Sequence, residues 1–291
     1  IEDNSPDNSL EVCQQLAAKY ERVKLLRHPD GENHGAGASR NLGMRNTRFD
    51  YIAFLDADDY FLPNRFREAA RIMQEDITCD GVYEAIGMHV EDQESWRRWQ
   101  ESGKPSDFLK TMKIAPPPES LAQVLLDGKH GHFSLDGFTI RKLVLDKSGF
   151  MDETLRIHQD TNFIIRVASV ARLLPGNLVQ PVSMWRVHQE NRVSAPKTKE
   201  QRKAERMHFL VNTYSWFKEV HNRDFQKKIS GMIFTEVIRI DENYSTANKL
   251  SRFLKRIDQY LSFLKKHPEM RLETQLWSSL SLFLVTFGRK S

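Results

Sequence analysis

The stretch Phe54-Leu55-Asp56-Ala57-Asp58-Asp59 decides how the chain is read. An apolar run from Tyr51 to Leu55, rich in aromatic and β-branched residues, stops abruptly at three carboxylates. Its length and composition predict a strand buried on both faces, with the acids at its C-terminal end. In an open α/β sheet, that end is where ligands bind. Asp-x-Asp spacing puts two carboxylates within reach of one hard divalent ion, with coordination sites left for phosphate oxygens. The competing reading is an acidic helix start, with Asp58 or Asp59 capping a helix through Pro63, Phe66 and Ala70. The hexapeptide does not separate the two; its flanks do.

Upstream, Asp3-Asn4-Ser5-Pro6-Asp7-Asn8-Ser9 is dense in turn and capping residues. Leu10, Cys13, Leu16, Ala17 and Tyr20 then follow helical spacing. Val23 to Leu26 is read as a short strand. Next, His34-Gly35-Ala36-Gly37-Ala38-Ser39-Arg40-Asn41-Leu42-Gly43 passes from a Gly-rich loop into a helix with small residues on one side. Small side chains let backbone amides approach a ligand, and Arg40 offers a diphosphate a fork of donors. Close packing of helix on sheet explains the same residues. The glycines do not follow the dinucleotide-binding spacing.

Downstream, a helix is expected from Pro63 to about Glu75 and a strand from Gly81 to Val90. Residues 91–120, with Trp96, Trp99 and Pro116-Pro117-Pro118 among charges, read as a loop or lid. Leu121 to Leu126 reads as helix and Phe138-Thr139-Ile140 as strand. His158-Gln159-Asp160-Thr161-Asn162 opens a further helix, where Asp160 is either an N-cap or a carboxylate aimed into a cleft. Val182 to His188 alternates like a strand. Beyond Pro196 come three helical apolar stripes with Lys and Arg between them. The last apolar run, Leu276 to Phe287, is too short to span a bilayer.

The 291 residues allow one large domain or two modest ones, and 40% hydrophobic with 28% charged residues is an ordinary globular composition. A net charge of +4 permits anionic ligands or an anionic membrane surface, and no basic tract marks a nucleic-acid footprint. Cys13 and Cys79 lack metal or disulfide-framework spacing, which implies a reducing compartment. Because the chain opens on what looks like the end of a strand and a turn, Ile1 to Ser5, a preceding strand-helix-strand piece is expected in the complete protein.

Together, these segments resemble family 2 glycosyltransferases, inverting nucleotide-sugar transferases of the GT-A fold. Glu2-Asp3-Asn4-Ser5-Pro6-Asp7-Asn8-Ser9 is similar to the family's Asp-Asp-Gly-Ser-Thr-Asp turn, and Gly37 to Gly43 to its Ala-Arg-Asn-x-Gly helix start. Leu55-Asp56-Ala57-Asp58-Asp59 matches the nucleotide-sugar Asp-x-Asp. Asp152-Glu153 and Gln159-Asp160 with Arg166 resemble the distal acidic motif, normally Glu-Asp, that carries the catalytic base. The four motifs occur in the family's order over residues 1–195. The resemblance thus implies a GT-A α/β catalytic domain over residues 1–195, with the family's first strand missing from its start, and a helical region over 196–291.

The resemblance also implies a division of labour. Asp3, with Glu2, would contact the nucleobase; Arg40 and Asp56 would hold the donor; Asp58 would bind Mn²⁺ or Mg²⁺ at the diphosphate. His188 would add a metal ligand or phosphate contact, and imidazole suits Mn²⁺ better than Mg²⁺. Asp160 would be the base that deprotonates the acceptor hydroxyl. The implied partners are a nucleotide-sugar donor and a saccharide or lipid-linked acceptor in cell-surface polysaccharide synthesis. The implied location is the cytoplasm, at the inner face of the membrane. The C-terminal stripes suit either peripheral membrane contact or packing on the catalytic domain or a second subunit. Two other functions fit parts of the sequence. A nucleotidyltransferase also uses Asp-x-Asp but gives no reason for Gln159-Asp160 and His188, and a non-catalytic module would keep the fold without turnover.

Overall fold

The computed structural model describes residues 1–101, 103, 105–188, 198–238 and 249–268. The chain divides into two compact units, Ile1–Pro196 and Lys197–Ser291.

The first unit begins with two helices, α1 (Ser9–Lys19) and α2 (Ala36–Asn46). The strand expected at Val23 to Leu26 reduces to one parallel bridge between Glu2 and Arg27, because Glu2 is the only described residue whose backbone pairs with the segment. Strand β1 (Tyr51–Ala53) follows. Only one of its faces is buried, contrary to the expectation from its composition. Ile52 and Phe54 are covered, Phe54 lying edge-on to Phe163, whereas Tyr51 and Leu55 are each 46% exposed. The two-residue spacing of a strand puts those pairs on opposite faces.

β2 (Tyr60–Phe61) comes directly after the acids, and α3 spans Arg67–Glu75 with Phe66 at its N-cap. Neither Asp58 nor Asp59 caps a helix, so the helix-start reading of the acidic hexapeptide is excluded.

The single strand expected over Gly81–Val90 is two, β3 (Gly81–Tyr83) and β4 (Ile86–Val90), which belong to different sheets. The break is at Glu84 and Ala85. Glu84 N–H donates to Gly137 O and Ala85 N–H to Asn177 O, and the Glu84 carboxylate is buried against Arg65 at 3.4 Å. The described part of residues 91–120, read as a loop or lid, contains helical structure. It holds α4 (Gln93–Glu101), where Trp99 is 5% exposed, packs edge-on against Phe108 and Trp185, and donates its indole N–H to Pro105 O. An apolar anchor therefore fastens this segment to the sheet.

The remaining elements are α5 (Pro118–Asp127), β5 (Phe138–Arg141), α6 (Leu145–Ser148), α7 (Gln159–Val170), β6 (Leu173–Pro175) and β7 (Ser183–Val187). One sheet has the order β1-β5-β3-β6, with β5 antiparallel to both neighbours and β3 parallel to β6. A smaller sheet has the order β2-β7-β4, with β4 running parallel to β7. In the core, Phe133 stacks on Tyr83 and lies tilted against Phe138.

The second unit contains α8 (Lys199–Glu219), α9 (Arg223–Val237) and α10 (Lys249–Lys266). Thr198 and Gln201 form a reciprocal capping box on α8, which satisfies two of the amides left open at a helix start. The buried residues Phe217 and Ile229 come from the predicted stripes of α8 and α9, and Phe217 stacks on Phe225. Among the described residues, no helix is long and apolar enough to cross a membrane. The Leu276–Phe287 run lies outside the described residues.

Candidate active site

The register of the main sheet creates the acidic centre. Ala53 is paired with Thr139, and continuing that antiparallel register three residues past each puts Asp56 opposite Asp136. Asp56 N–H accordingly donates to Asp136 Oδ1 at 3.0 Å. Carboxylate oxygens of Asp56, Asp59 and Asp136 all come within 4.8 Å of one another. Burial pushes Asp59 up to about 8, helped by the neighbouring charge of Asp136 and opposed by the Arg186 N–H at 2.9 Å. Asp136 is raised too, by burial first and by Asp56 second. Three carboxyl groups this close resist ionising together, and a divalent cation is what would relieve them. The all-oxygen donor set suits Mg²⁺ or Mn²⁺.

Asp58 lies outside that trio. Its Oδ2 is 3.2 Å from His188 Nε2, and its side chain is 43% exposed. The two residues assigned to the metal by resemblance therefore meet each other, while the acids that converge are Asp56, Asp59 and Asp136. Asp136 was missed in the sequence, although it stands in Ser134-Leu135-Asp136-Gly137, immediately before a strand. Knowing that β5 runs antiparallel beside β1 would have found it.

Arg40 reaches from α2 to ion-pair with Asp56. The small residues before it have local reasons: Gly35 adopts a φ of +85°, a conformation L side chains rarely take, and a Cβ on Gly37 would displace the end of the Gln159 side chain. Thus the starts of α2 and α7 approach closely. Asp3 belongs to this join. Its two oxygens accept the His34 and Gly35 N–H groups at 2.9 and 2.7 Å, just ahead of α2. Glu2 is 4% exposed and is also occupied within the chain, accepting from Ser5 N–H and from Arg27 Nε.

Asp160 is the second residue of α7, whose N-cap is His158 with a left-handed φ of 64°. Its Oδ1 accepts the Thr161 N–H at 2.8 Å. Burial by itself raises this carboxyl, but Lys110, the Thr161 amide, Arg40 and His132 together hold it below the ordinary carboxylate range. Arg40 therefore acts on both the acidic centre and Asp160. Two buried tethers fix the loop that leads into α7. Asn41 exchanges hydrogen bonds with the Met151 backbone, and Arg166 donates to Ser148 O at 3.1 Å and to Phe150 O at 2.6 Å.

The acidic cluster lies at the C-terminal end of β1 in an α/β fold of the GT-A type. The crystal structure of TarS residues 1–349 from S. aureus in complex with UDP-GlcNAc shares this fold, with a TM-score of 0.54 at 17% identity over 92% of this chain and 81% of that one. The chain belongs to glycosyl transferase family 2, whose family model matches residues 1–149.

Curated relatives agree at the level of family. An uncharacterized glycosyltransferase from Haemophilus influenzae is 23% identical over 54% of this chain and 48% of its own length. YibD of Escherichia coli, another uncharacterized glycosyltransferase, is 28% identical over 50% and 40%. The minor teichoic acid biosynthesis protein GgaA of Bacillus subtilis is 26% identical over 56% and 34%. The match spans less than half the length of each of these relatives.

Proposed function

We propose that the chain is the catalytic part of an inverting, metal-dependent glycosyltransferase that moves a sugar from a nucleotide-sugar, with UDP as the nucleotide, to a hydroxyl of a saccharide or lipid-linked acceptor. The observation that carries this reading is Arg40, ion-paired with Asp56 and close enough to Asp160 to help keep it ionised. Donor-side and acceptor-side groups thereby share one cation.

Asp160 takes the proton of the acceptor hydroxyl. The acceptor oxygen then bonds to the anomeric carbon from the face opposite the nucleotide, while the bond to the diphosphate breaks and its electron pair leaves on the diphosphate oxygen. Asp160 later returns its proton to solvent. Asp56, Asp59 and Asp136, with Asp58 and His188 beside them, would hold Mn²⁺ or Mg²⁺. Bound there, the ion supplies charge neutralisation for the departing nucleoside diphosphate. Arg40 adds a planar fork of donors on the same side.

The similarity to GgaA, a minor teichoic acid biosynthesis protein, supports a role in surface-polymer synthesis. A lipid-linked acceptor puts the enzyme in the cytoplasm at the inner face of the membrane, with basic helices such as α10 next to anionic lipid. Residues 1–195 are then the catalytic domain and 196–291 a helical region.

Incubation with UDP-sugars, Mn²⁺ and saccharide acceptors tests the reading. It predicts UDP release without pyrophosphate and a product of inverted anomeric configuration. Pyrophosphate release from a nucleoside triphosphate, or retention at the anomeric carbon, would overturn it.

A further inference from the structure

The segment after α4 reads as a loop in the sequence, yet the fold fixes it at Lys110. The Lys110 N–H donates to Ile86 O at 2.9 Å and its carbonyl accepts the Ile86 N–H at 3.2 Å, so both backbone groups clip the residue to the start of β4. Its side chain is half-buried, and the ammonium donates to Ser134 Oγ at 3.5 Å, a residue only 7% exposed. A lysine that merely coats a surface lays its stem on the protein and keeps its charged end in water. Lys110 instead brings its ammonium to a buried hydroxyl.

That hydroxyl adjoins the acidic centre. Ser134 Oγ lies 3.4 Å from Asp136 Oδ2, while Asp136 Oδ1 accepts the Asp56 N–H at 3.0 Å. An ammonium can only donate, so Ser134 accepts from Lys110 and directs its single hydrogen to Asp136. Two of the three ammonium N–H groups are left open. Among the described residues Lys110 has no other side-chain hydrogen bond, and no carboxylate oxygen lies within 4.0 Å of its ammonium. Arg40 differs in this respect, because it is ion-paired with Asp56. Each cation is thus attached to a different member of the acidic trio, Arg40 directly and Lys110 through Ser134, and only Lys110 keeps its charge uncompensated.

Open N–H donors beside carboxylates suited to a divalent ion fit the anion that such an ion brings with it. In a nucleotide-sugar that anion is the diphosphate, which a compact ammonium binds as a point charge. We propose that Lys110 is a donor-binding residue: it holds the β-phosphate of the nucleotide-sugar and takes up the negative charge gained there when the bond to the anomeric carbon breaks. This role rests on the donor being a nucleoside-diphosphate sugar, as proposed above. Ser134 orients the ammonium towards it.

The experiment has two arms, both on the whole chain with Mn²⁺. Calorimetric titration compares UDP with UMP, which lacks the β-phosphate, in wild type and Lys110→Gln. The variant should bind UDP about tenfold or more weakly, the usual scale for a lost hydrogen bond to a charged group, and UMP within about threefold of wild type. In the second arm, wild type is treated with acetic anhydride and acetylation of the Lys110 peptide is read by mass spectrometry. Lys110 should react in the free chain and be protected by saturating UDP but not by saturating UMP. Unchanged UDP affinity in Lys110→Gln, or a loss shared equally by UMP, overturns the assignment. So does a Lys110 that is unreactive in the free chain or equally reactive with and without UDP, and this arm decides if Lys110→Gln does not fold. Wild type that binds no UDP in Mn²⁺ removes the donor reading itself, and this role with it, which is a separate failure.

Discussion

Asn41 and Met151, 110 positions apart in sequence, exchange two hydrogen bonds: Asn41 Nδ2 donates to Met151 O and Met151 N–H donates to Asn41 Oδ1, each at 2.9 Å. Asn41 is fully buried, and its Nδ2 also donates to Glu153 at 2.7 Å. One side chain thus stands in for a strand partner and ties α2 to the loop before Asp160.

Removing it strands a buried main-chain donor and acceptor. Asn41→Ala should lower stability by about 1–3 kcal/mol for each group left unpaired. Asn41→Asp should be no better, since it loses the donor and sets a carboxylate against Glu153. Urea midpoints measure the effect. Wild-type stability in both variants would show that the tether is replaceable.

Glu84 gives a pH dependence whose sign follows from its burial. Desolvation raises its pKa to about 7 from 4.5, although Arg65 lies 3.4 Å away. Between those values the folded chain holds a proton that the unfolded chain has released, so this group's contribution to stability falls as pH rises through that window. Glu84→Gln should therefore flatten the change in urea midpoint between pH 5 and 7, whatever its cost in absolute stability. An equal slope in wild type and variant would contradict the assignment.

Asp136 separates the acidic trio from the Asp58–His188 pair. If Asp136 belongs to the ion's surroundings, Asp136→Asn should weaken Mn²⁺ binding by roughly 10–100-fold, the usual effect of altering a group that supports a metal. Isothermal titration with MnCl₂ reads this directly. Unchanged affinity would limit the site to the acids of the Phe54–Asp59 hexapeptide.

The sequence carried the strand-end acids, the helix starts at Ala36 and Gln159, and the order of motifs, because each depends on residues adjacent in the chain. Asp136 escaped notice because it reaches the site through pairing, in the β1–β5 register. The split of Gly81–Val90 was hidden for a related reason. Glu84 turns the chain from one sheet to another through bonds to Gly137, Asn177 and Arg65, all remote in sequence. Glu2 and Asp3 were legible as acids at a turn, but not as residues whose oxygens are already engaged by Ser5, Arg27, His34 and Gly35.

Asp160→Asn should keep UDP binding and lower turnover by a factor of about 10² to 10⁴, the usual contribution of a positioned base. The variant also removes a charge at the start of α7, so unfolding curves must accompany the kinetics. Parallel loss of donor binding and turnover in a folded variant would make Asp160 a structural residue of the helix start.

If the acids after β1 bind a nucleoside diphosphate through a divalent cation, UDP affinity must depend on that ion. Calorimetric titration of UDP into the chain, once with Mn²⁺ and once with EDTA, measures the dependence. Saturable binding with Mn²⁺ should disappear in EDTA and in Asp56→Ala; equal UDP affinity with and without the ion would contradict the assignment.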